Sequence, residues 1–195
     1  IDRGERTLLH SGGLRGESSV VRIGPLGKTV WGGLRVGWIR AESATIRRLL
    51  TARPVFDLGT PEFEQAVALA VLPYMPEVLA QRSTFLRASR DALVSSLNER
   101  LPQWSVPATN GGVSLWVALG APLSTTLVLA ARDEGLFLSA GPRFSVDGGH
   151  ERHLRVPFTA APEQLRTAVE LLERAWARTV SGVPAQSRNY LEAVV

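Results

Sequence analysis

The sequence predicts an α/β fold, and three observations predict it. Two short runs rich in branched and aromatic residues, Val20-Val21-Arg22-Ile23 and Leu34-Arg35-Val36-Gly37-Trp38-Ile39, flank a glycine-rich loop and read as strands. Between residues 43 and 100 the apolar positions recur at helical spacing. From Leu101 to about residue 180, short strand patterns alternate with helical ones, and two helices against a small sheet make a complete α+β layer. A chain of 195 residues has room for one domain or one and a half. Its 45% hydrophobic and 21% charged content is ordinary for a folded protein with a substantial core.

Residues 1–19 are polar and glycine-rich and read as a linker or surface loop, with His10 exposed on it. The strand pair follows. Ser43 can cap a helix to about Arg53, with Ile46, Leu49 and Leu50 inward and Arg47, Arg48 and Arg53 outward. Pro54 ends that helix, and Asp57-Leu58-Gly59 turns the chain. Thr60-Pro61-Glu62 opens a second helix that stops near Pro73. Pro76 opens a long helix to about Arg100, on which Leu79, Leu86, Leu93 and Leu97 keep helical spacing. Ser105-Val106-Pro107 is extended. The alternation over 113–119 puts Val113, Leu115, Val117 and Leu119 on one face. A helix over 124–134 closes at Gly135, and 136–138 and 153–158 read as strands. The amphipathic helix 162–179 turns Leu165, Leu172 and Trp176 inward. Residues 181–195 carry no pattern and read as a tail.

Chemistry concentrates in the first loop. Lys28 is the only lysine; every other one of the 22 Lys+Arg residues is arginine. A primary amine can attack an aldehyde and form an imine, and a guanidinium cannot. The count alone fits an ordinary surface lysine equally well. The loop context favours function, because glycines flank Lys28 on both sides and the hairpin presents it. Arg35 lies seven residues on. An extended strand covers ~3.3 Å per residue, but the glycines let the loop fold back so that both groups reach one ligand. Arginine grips phosphate with two parallel bonds. An amine beside such a cation suits a ligand carrying both an aldehyde and a phosphate, as pyridoxal phosphate does. Gly27-Lys28-Thr29 also matches the end of a nucleotide-binding P-loop. Arg22 stands where that motif needs glycine, and Gly32-Gly33 excludes the helix that must follow.

The stretch resembles the cofactor-lysine segment of fold-type I, class I/II aminotransferases. The variant running from Lys28-Thr29-Val30-Trp31-Gly32-Gly33 through Leu34-Arg35-Val36-Gly37-Trp38 is most similar to MocR-type regulators, in which an aminotransferase-like domain follows a GntR-type winged helix. Three later segments extend the resemblance in the family's order. Asn110-Gly111-Gly112 through Trp116 is similar to its Gly-Gly-x-x-x-Trp strand, residues 141–144 to its Pro-Gly-x-x-Phe loop, and Leu154-Arg155-Val156-Pro157-Phe158 to its Leu-Arg-Leu-x-Phe strand.

The resemblance implies an incomplete large domain of a pyridoxal-phosphate-dependent transferase over 1–75, a linking helix over 76–100, and a complete small α+β domain over 101–180. It implies pyridoxal 5'-phosphate as cofactor, Lys28 as the catalytic imine-forming lysine, Arg35 as phosphate ligand, and Arg155 as the clamp on the carboxylate of an amino acid. Arg155 lies mid-strand, where an unpaired buried charge is costly, so it needs an anionic partner; the alternative to a ligand carboxylate is a structural Asp or Glu. Pro25 and Gly27 stand where the family commonly has serine, which removes two hydroxyl donors. The family's ring-stacking aromatic and its aspartate on the ring nitrogen come from segments before this one. The expected parent is a MocR-type regulator that senses an amino acid or amine. Its rivals are a catalytic aminotransferase, with freed Lys28 as general base, and a folded remnant without cofactor. A homodimer is implied for the intact parent, with DNA bound only through a missing N-terminal domain.

Other classes find less support. The net charge is +4, but the arginines are scattered, so direct DNA contact by this segment is not expected. No apolar run is long enough to span a membrane. Cysteine is absent, which excludes disulfides and thiolate metal sites. His150 and His153 flank a glycine turn and are not read as metal ligands. Trp38 and Trp116 are expected in the core. The chain opens on Ile1 with no signal sequence, which predicts a piece of a longer, cytoplasmic protein.

Overall fold

The computed structural model describes residues 20–182, so the expected linker with His10 and the tail after 182 lie outside the described residues. The chain divides into two units, Ile1–Thr84 and Phe85–Val195.

In the first unit, β1 (Arg22–Pro25) pairs antiparallel with β2 (Gly37–Arg40), Ile23 opposite Ile39 and Gly24 opposite Trp38. The expected second strand began at residue 34. Leu34 instead closes a 3-10 turn, Gly32–Leu34, because Arg35 adopts a left-handed φ of 52° that extended backbone does not allow. Helix α1 (Ser43–Ala52) and α2 (Glu62–Val71) follow. Glu62 and Glu64 sit in the first turn of α2, where the helix dipole favours negative charge. Between the helices, Asp57 accepts from the Arg53 Nε–H at 2.7 Å and the Gly59 N–H at 2.8 Å. The Arg53 hydrogen bond, first among these, holds the Asp57 carboxyl below its ordinary range.

Helix α1 departs from expectation. Leu49 and Leu50 are exposed, and no residue of the helix is buried. They line, with Ile46, Ile23, Trp38 and Phe56, a groove of about 800 Å³. Leu34 and Ala68 are the buried apolar side chains among the described residues of this unit. The boundary between units falls inside α3 (Met75–Arg100).

The second unit holds a dense core. Strands β3 (Ser114–Ala118), β4 (Ser139–Ala140) and β5 (His153–Pro157) form an antiparallel sheet in the order β3-β5-β4. Alternation sends Leu115, Val117, Leu154 and Val156 inward, where they meet Leu86, Leu93 and Leu97 of α3. Leu127 of α4 (Ser124–Asp133) and Leu165, Val169 and Leu172 of α5 (Pro162–Val180) complete the cluster. Trp176 packs edge-on against Trp104, ring centroids 5.2 Å apart. Strand β4 starts later than the expected 136–138. The Leu136 N–H still bonds back to the Ala131 carbonyl, so the chain joins the sheet only where Ser139 faces Arg155.

Glu151 caps α4 from a distant loop. Its carboxylate accepts from the Ser124 hydroxyl at 3.0 Å, the Thr125 N–H at 3.1 Å and the Thr125 hydroxyl at 2.5 Å. Burial alone would push this carboxyl up, but the bonds from Thr125 and Ser124 outweigh it and hold it low. Glu151→Ala should therefore cost about 1 kcal/mol in denaturant unfolding near neutral pH, the usual cost of a lost helix cap. Because the folded carboxyl is depressed, the contribution is complete above the unfolded value of about 4.3. The difference between wild type and variant should shrink as pH falls below that value.

Candidate functional site

The loop between β1 and β2 is closed by its own backbone. The Leu26 N–H donates to the Val36 carbonyl at 2.8 Å, and the Thr29 and Val30 N–H groups fold back onto the Leu26 carbonyl at 3.0 and 2.7 Å. Lys28 stands on that tight turn. The Leu34 N–H then donates to the Trp31 carbonyl at 3.1 Å, and Leu34, 1% exposed, anchors this side of the loop. The 3-10 turn that carries Leu34 lies against α2. Two glycines of the hairpin are crossed by tryptophan rings, Gly33 by Trp31 and Gly24 by Trp38. The Trp38 indole lies across Gly24 so closely that a Cβ there would come within 2.4 Å of the ring.

Lys28 and Arg35 both belong to this closed loop, and both are exposed. Neither makes a hydrogen bond or ion pair with a described residue. The N–H groups of Gly27 and Lys28 also have no backbone acceptor among the described residues. A primary amine, a guanidinium without a carboxylate neighbour among the described residues and two N–H donors without a described backbone acceptor make a donor set that fits a phosphate-bearing aldehyde. Pro25 pairs with Gly37 at the end of β1 and adds no donor.

Arg155 belongs to the second unit. It projects from the outer face of the sheet, opposite Trp116 on one side and Ser139 on the other. Half-buried, it makes no ion pair with a described Asp or Glu. Its guanidinium carbon lies 6.0 Å from the centre of the Phe144 ring.

Neither tryptophan expected in the core is buried there. Trp38 is 49% exposed because Gly24 lets it fold over the hairpin. Trp116 alternates with Leu115 and Val117 and so faces outward, half-buried. It stacks on His153 with centroids 5.4 Å apart and planes 7° from parallel. Phe144 and His150 meet it edge-on at 5.4 and 5.6 Å. The alternation in both strands already groups Trp116, His153 and Arg155 on one face. Phe144 and His150 come from a 3-10 turn, Gly141–Phe144, and a left-handed φ of 70°, which no residue type in the loop announces.

Among the described residues, no helix is long and apolar enough to cross a membrane, and no three metal-ligating side chains converge. The hairpin geometry gives a test. Gly24→Ala should destabilise the chain by about 1–3 kcal/mol, as overpacking does, and change tryptophan fluorescence as Trp38 is displaced. Gly27→Ala, whose Cβ would meet nothing closer than 3.6 Å, should stay within about 0.5 kcal/mol of wild type. Equal effects in a thermal melt would contradict the clamp.

Comparison with known proteins gives a consistent family. Residues 28–172 match the family described as Aminotransferase class I and II. The aromatic-amino-acid aminotransferase 1 of Thermococcus litoralis is 30% identical over 154 residues, 76% of this chain and 36% of that protein. The HTH-type transcriptional regulator YdfD of Bacillus subtilis is 26% identical over 159 residues, 78% of this chain and 32% of that protein. The crystal structure of LysN, the alpha-aminoadipate aminotransferase of Thermus thermophilus complexed with N-(5'-phosphopyridoxyl)-L-leucine, superposes with a TM-score of 0.77 at 26% identity, covering 84% of this chain and 43% of that one. The chain thus spans less than half the length of each.

Proposed function

This chain belongs to the class I and II aminotransferase family, and on that premise we propose that it is the later part of a pyridoxal-phosphate-binding domain that transfers amino groups. The observation that carries the reading is the pairing, on one closed loop, of the chain's only lysine with an arginine that has no carboxylate partner among the described residues. Pyridoxal phosphate is the cofactor. Arg35 and the N–H groups of Gly27 and Lys28 are the donors for its phosphate, and Lys28 Nζ is the amine for its aldehyde. When bound, the cofactor supplies an electron sink for the pair left behind by the departing α-proton.

Lys28 then has a second task as a free amine: it removes the proton from the α-carbon of the amino acid and returns it on the other side of the nitrogen. Arg155, on the second unit, is the group read as holding the α-carboxylate of the amino acid. The boundaries in this reading are a large-domain remnant over 1–75, a linking helix over 76–100 and a small domain over 101–180, within a homodimeric parent. A regulator of the MocR type, put first from sequence, becomes the second reading. The similarity to YdfD supports it, while the Thermococcus litoralis and Thermus thermophilus relatives are aminotransferases.

The test is amino transfer from an amino acid to a 2-oxo acid by the full-length gene product. Lys28→Arg keeps the charge and should abolish turnover. Arg35→Ala should weaken the cofactor about ten- to a hundredfold, the loss expected for one charge-assisted phosphate grip. A full-length protein that binds cofactor through Lys28 and responds to an amino acid without transferring its nitrogen would move the regulator into first place.

A further inference from the structure

We propose that the second unit carries a binding site for a small, uncharged, ring-sized apolar molecule, in a cavity between α3, α5 and the chain that leads into β4. The proposal stands apart from the reading of Lys28, Arg35 and Arg155, none of which lines the cavity.

The space originates in a strand that starts late. Ser139 faces Arg155 and Ala140 faces Leu154. Continued in that register, Leu138 would face Val156 and Phe137 would face Pro157. The pairing stops short of both. The Leu136 N–H is held by the Ala131 carbonyl at 2.9 Å, which draws the chain away, and Pro157 has no N–H to offer a ladder. A cavity of about 160 Å³ remains beside the end of β5. Every residue that lines it belongs to the second unit.

Its floor is closed. Leu93, Val156, Leu165, Val169 and Leu172 line it, and each is at most 5% exposed. Phe137, Thr159 and Gln164 are exposed and form the mouth. On α5, Gln164, Ala168 and Leu172 recur every fourth residue and share one ridge. Ala168, in the middle of that ridge, carries only a methyl group, so the room in front of it is left unfilled.

The lining selects the ligand's chemistry. It includes no Lys, Arg, His, Asp or Glu, so an ion entering it would lose its hydration without gaining a partner. Thr159 and Gln164 are its polar side chains, and the Gln164 Oε1 already accepts from the Ala161 N–H at 3.2 Å. Water in a cavity needs two to four polar partners, which this floor does not supply, whereas a dry apolar cavity of about 150 Å³ takes up benzene or xenon. The occupant is therefore a neutral molecule of about one six-membered ring. Resting on α3, α5 and β5 together, it ties down the folded unit and raises its resistance to heat.

The experiment uses the full chain and two probes that share a ring, benzene and benzylammonium. Methyl resonances of Leu93, Val156, Val169 and Leu172 report the floor, and a thermal melt reports stability. Benzene should shift those methyls saturably and raise Tm. Benzylammonium should bind at least about tenfold more weakly, because its charge finds no partner there. Ala168→Leu should fill the space, raise Tm without ligand and weaken benzene at least about tenfold. Ala168→Val, a smaller filling, should weaken it less. Ala177→Leu, at an exposed position of the same helix, should leave binding unchanged. No saturable shift of the floor methyls in wild type, equal affinity for the two probes, or undiminished benzene binding in a folded Ala168→Leu would overturn the proposal. Should Ala168→Leu not fold, the wild-type titration and Ala168→Val decide. None of these results would bear on Lys28 or Arg155.

Discussion

One backbone hydrogen bond, from the Leu26 N–H to the Val36 carbonyl at 2.8 Å, closes the loop that carries both Lys28 and Arg35. Without it, seven residues at ~3.3 Å each could hold the Lys28 amine and the Arg35 guanidinium far apart. With it, both sit on a single closed loop. The neighbouring contacts serve the same closure. Leu34 sinks one side of the loop, and Trp38 lies across Gly24 on the strands that lead into it. Arg35 itself takes the left-handed conformation that ends the 3-10 turn and returns the chain to β2. Among the described residues, Arg35 and His150 are the non-glycine residues with positive φ, and each lies in one of the two candidate sites. Strain of this kind persists only where surrounding structure imposes it.

The two units differ in how they use apolar side chains. The second unit buries Leu115, Val117, Leu154 and Phe158 completely or nearly so, and its sheet is covered on that side by helices. In the first, Ile23, Trp38, Ile39 and Leu50 stay exposed around a groove. Two strands and two helices cannot cover one another, and isolated two-stranded sheets are marginal in water.

Much of this was legible in the residues. The helices of both units lie within a few residues of the positions that periodicity and caps predict, and Gly135, at a φ of 82°, closes α4 as its position suggests. Alternation placed the inner face of β3 correctly. What escaped were features set by tertiary contact. Leu49 and Leu50 keep helical spacing whether or not anything covers them. A run such as Leu34-Arg35-Val36 looks extended until Arg35 turns left-handed. Glu151 has no local sequence relation to the helix that it caps. The chemistry of the candidate loop was readable because it lies in residue identity, a lone lysine among arginines. The ring cluster was half readable, since strand alternation yields Trp116, His153 and Arg155 but not Phe144 or His150.

The central claim is that Lys28 Nζ is the point of covalent attachment for pyridoxal phosphate. Reduction with borohydride in the presence of the cofactor, followed by peptide mass analysis, tests it directly, because Lys28 is the only lysine in the chain. The account predicts a pyridoxyl label on the peptide containing Lys28, lost in Lys28→Arg. A label confined to the terminal amine, or none at all, would contradict it.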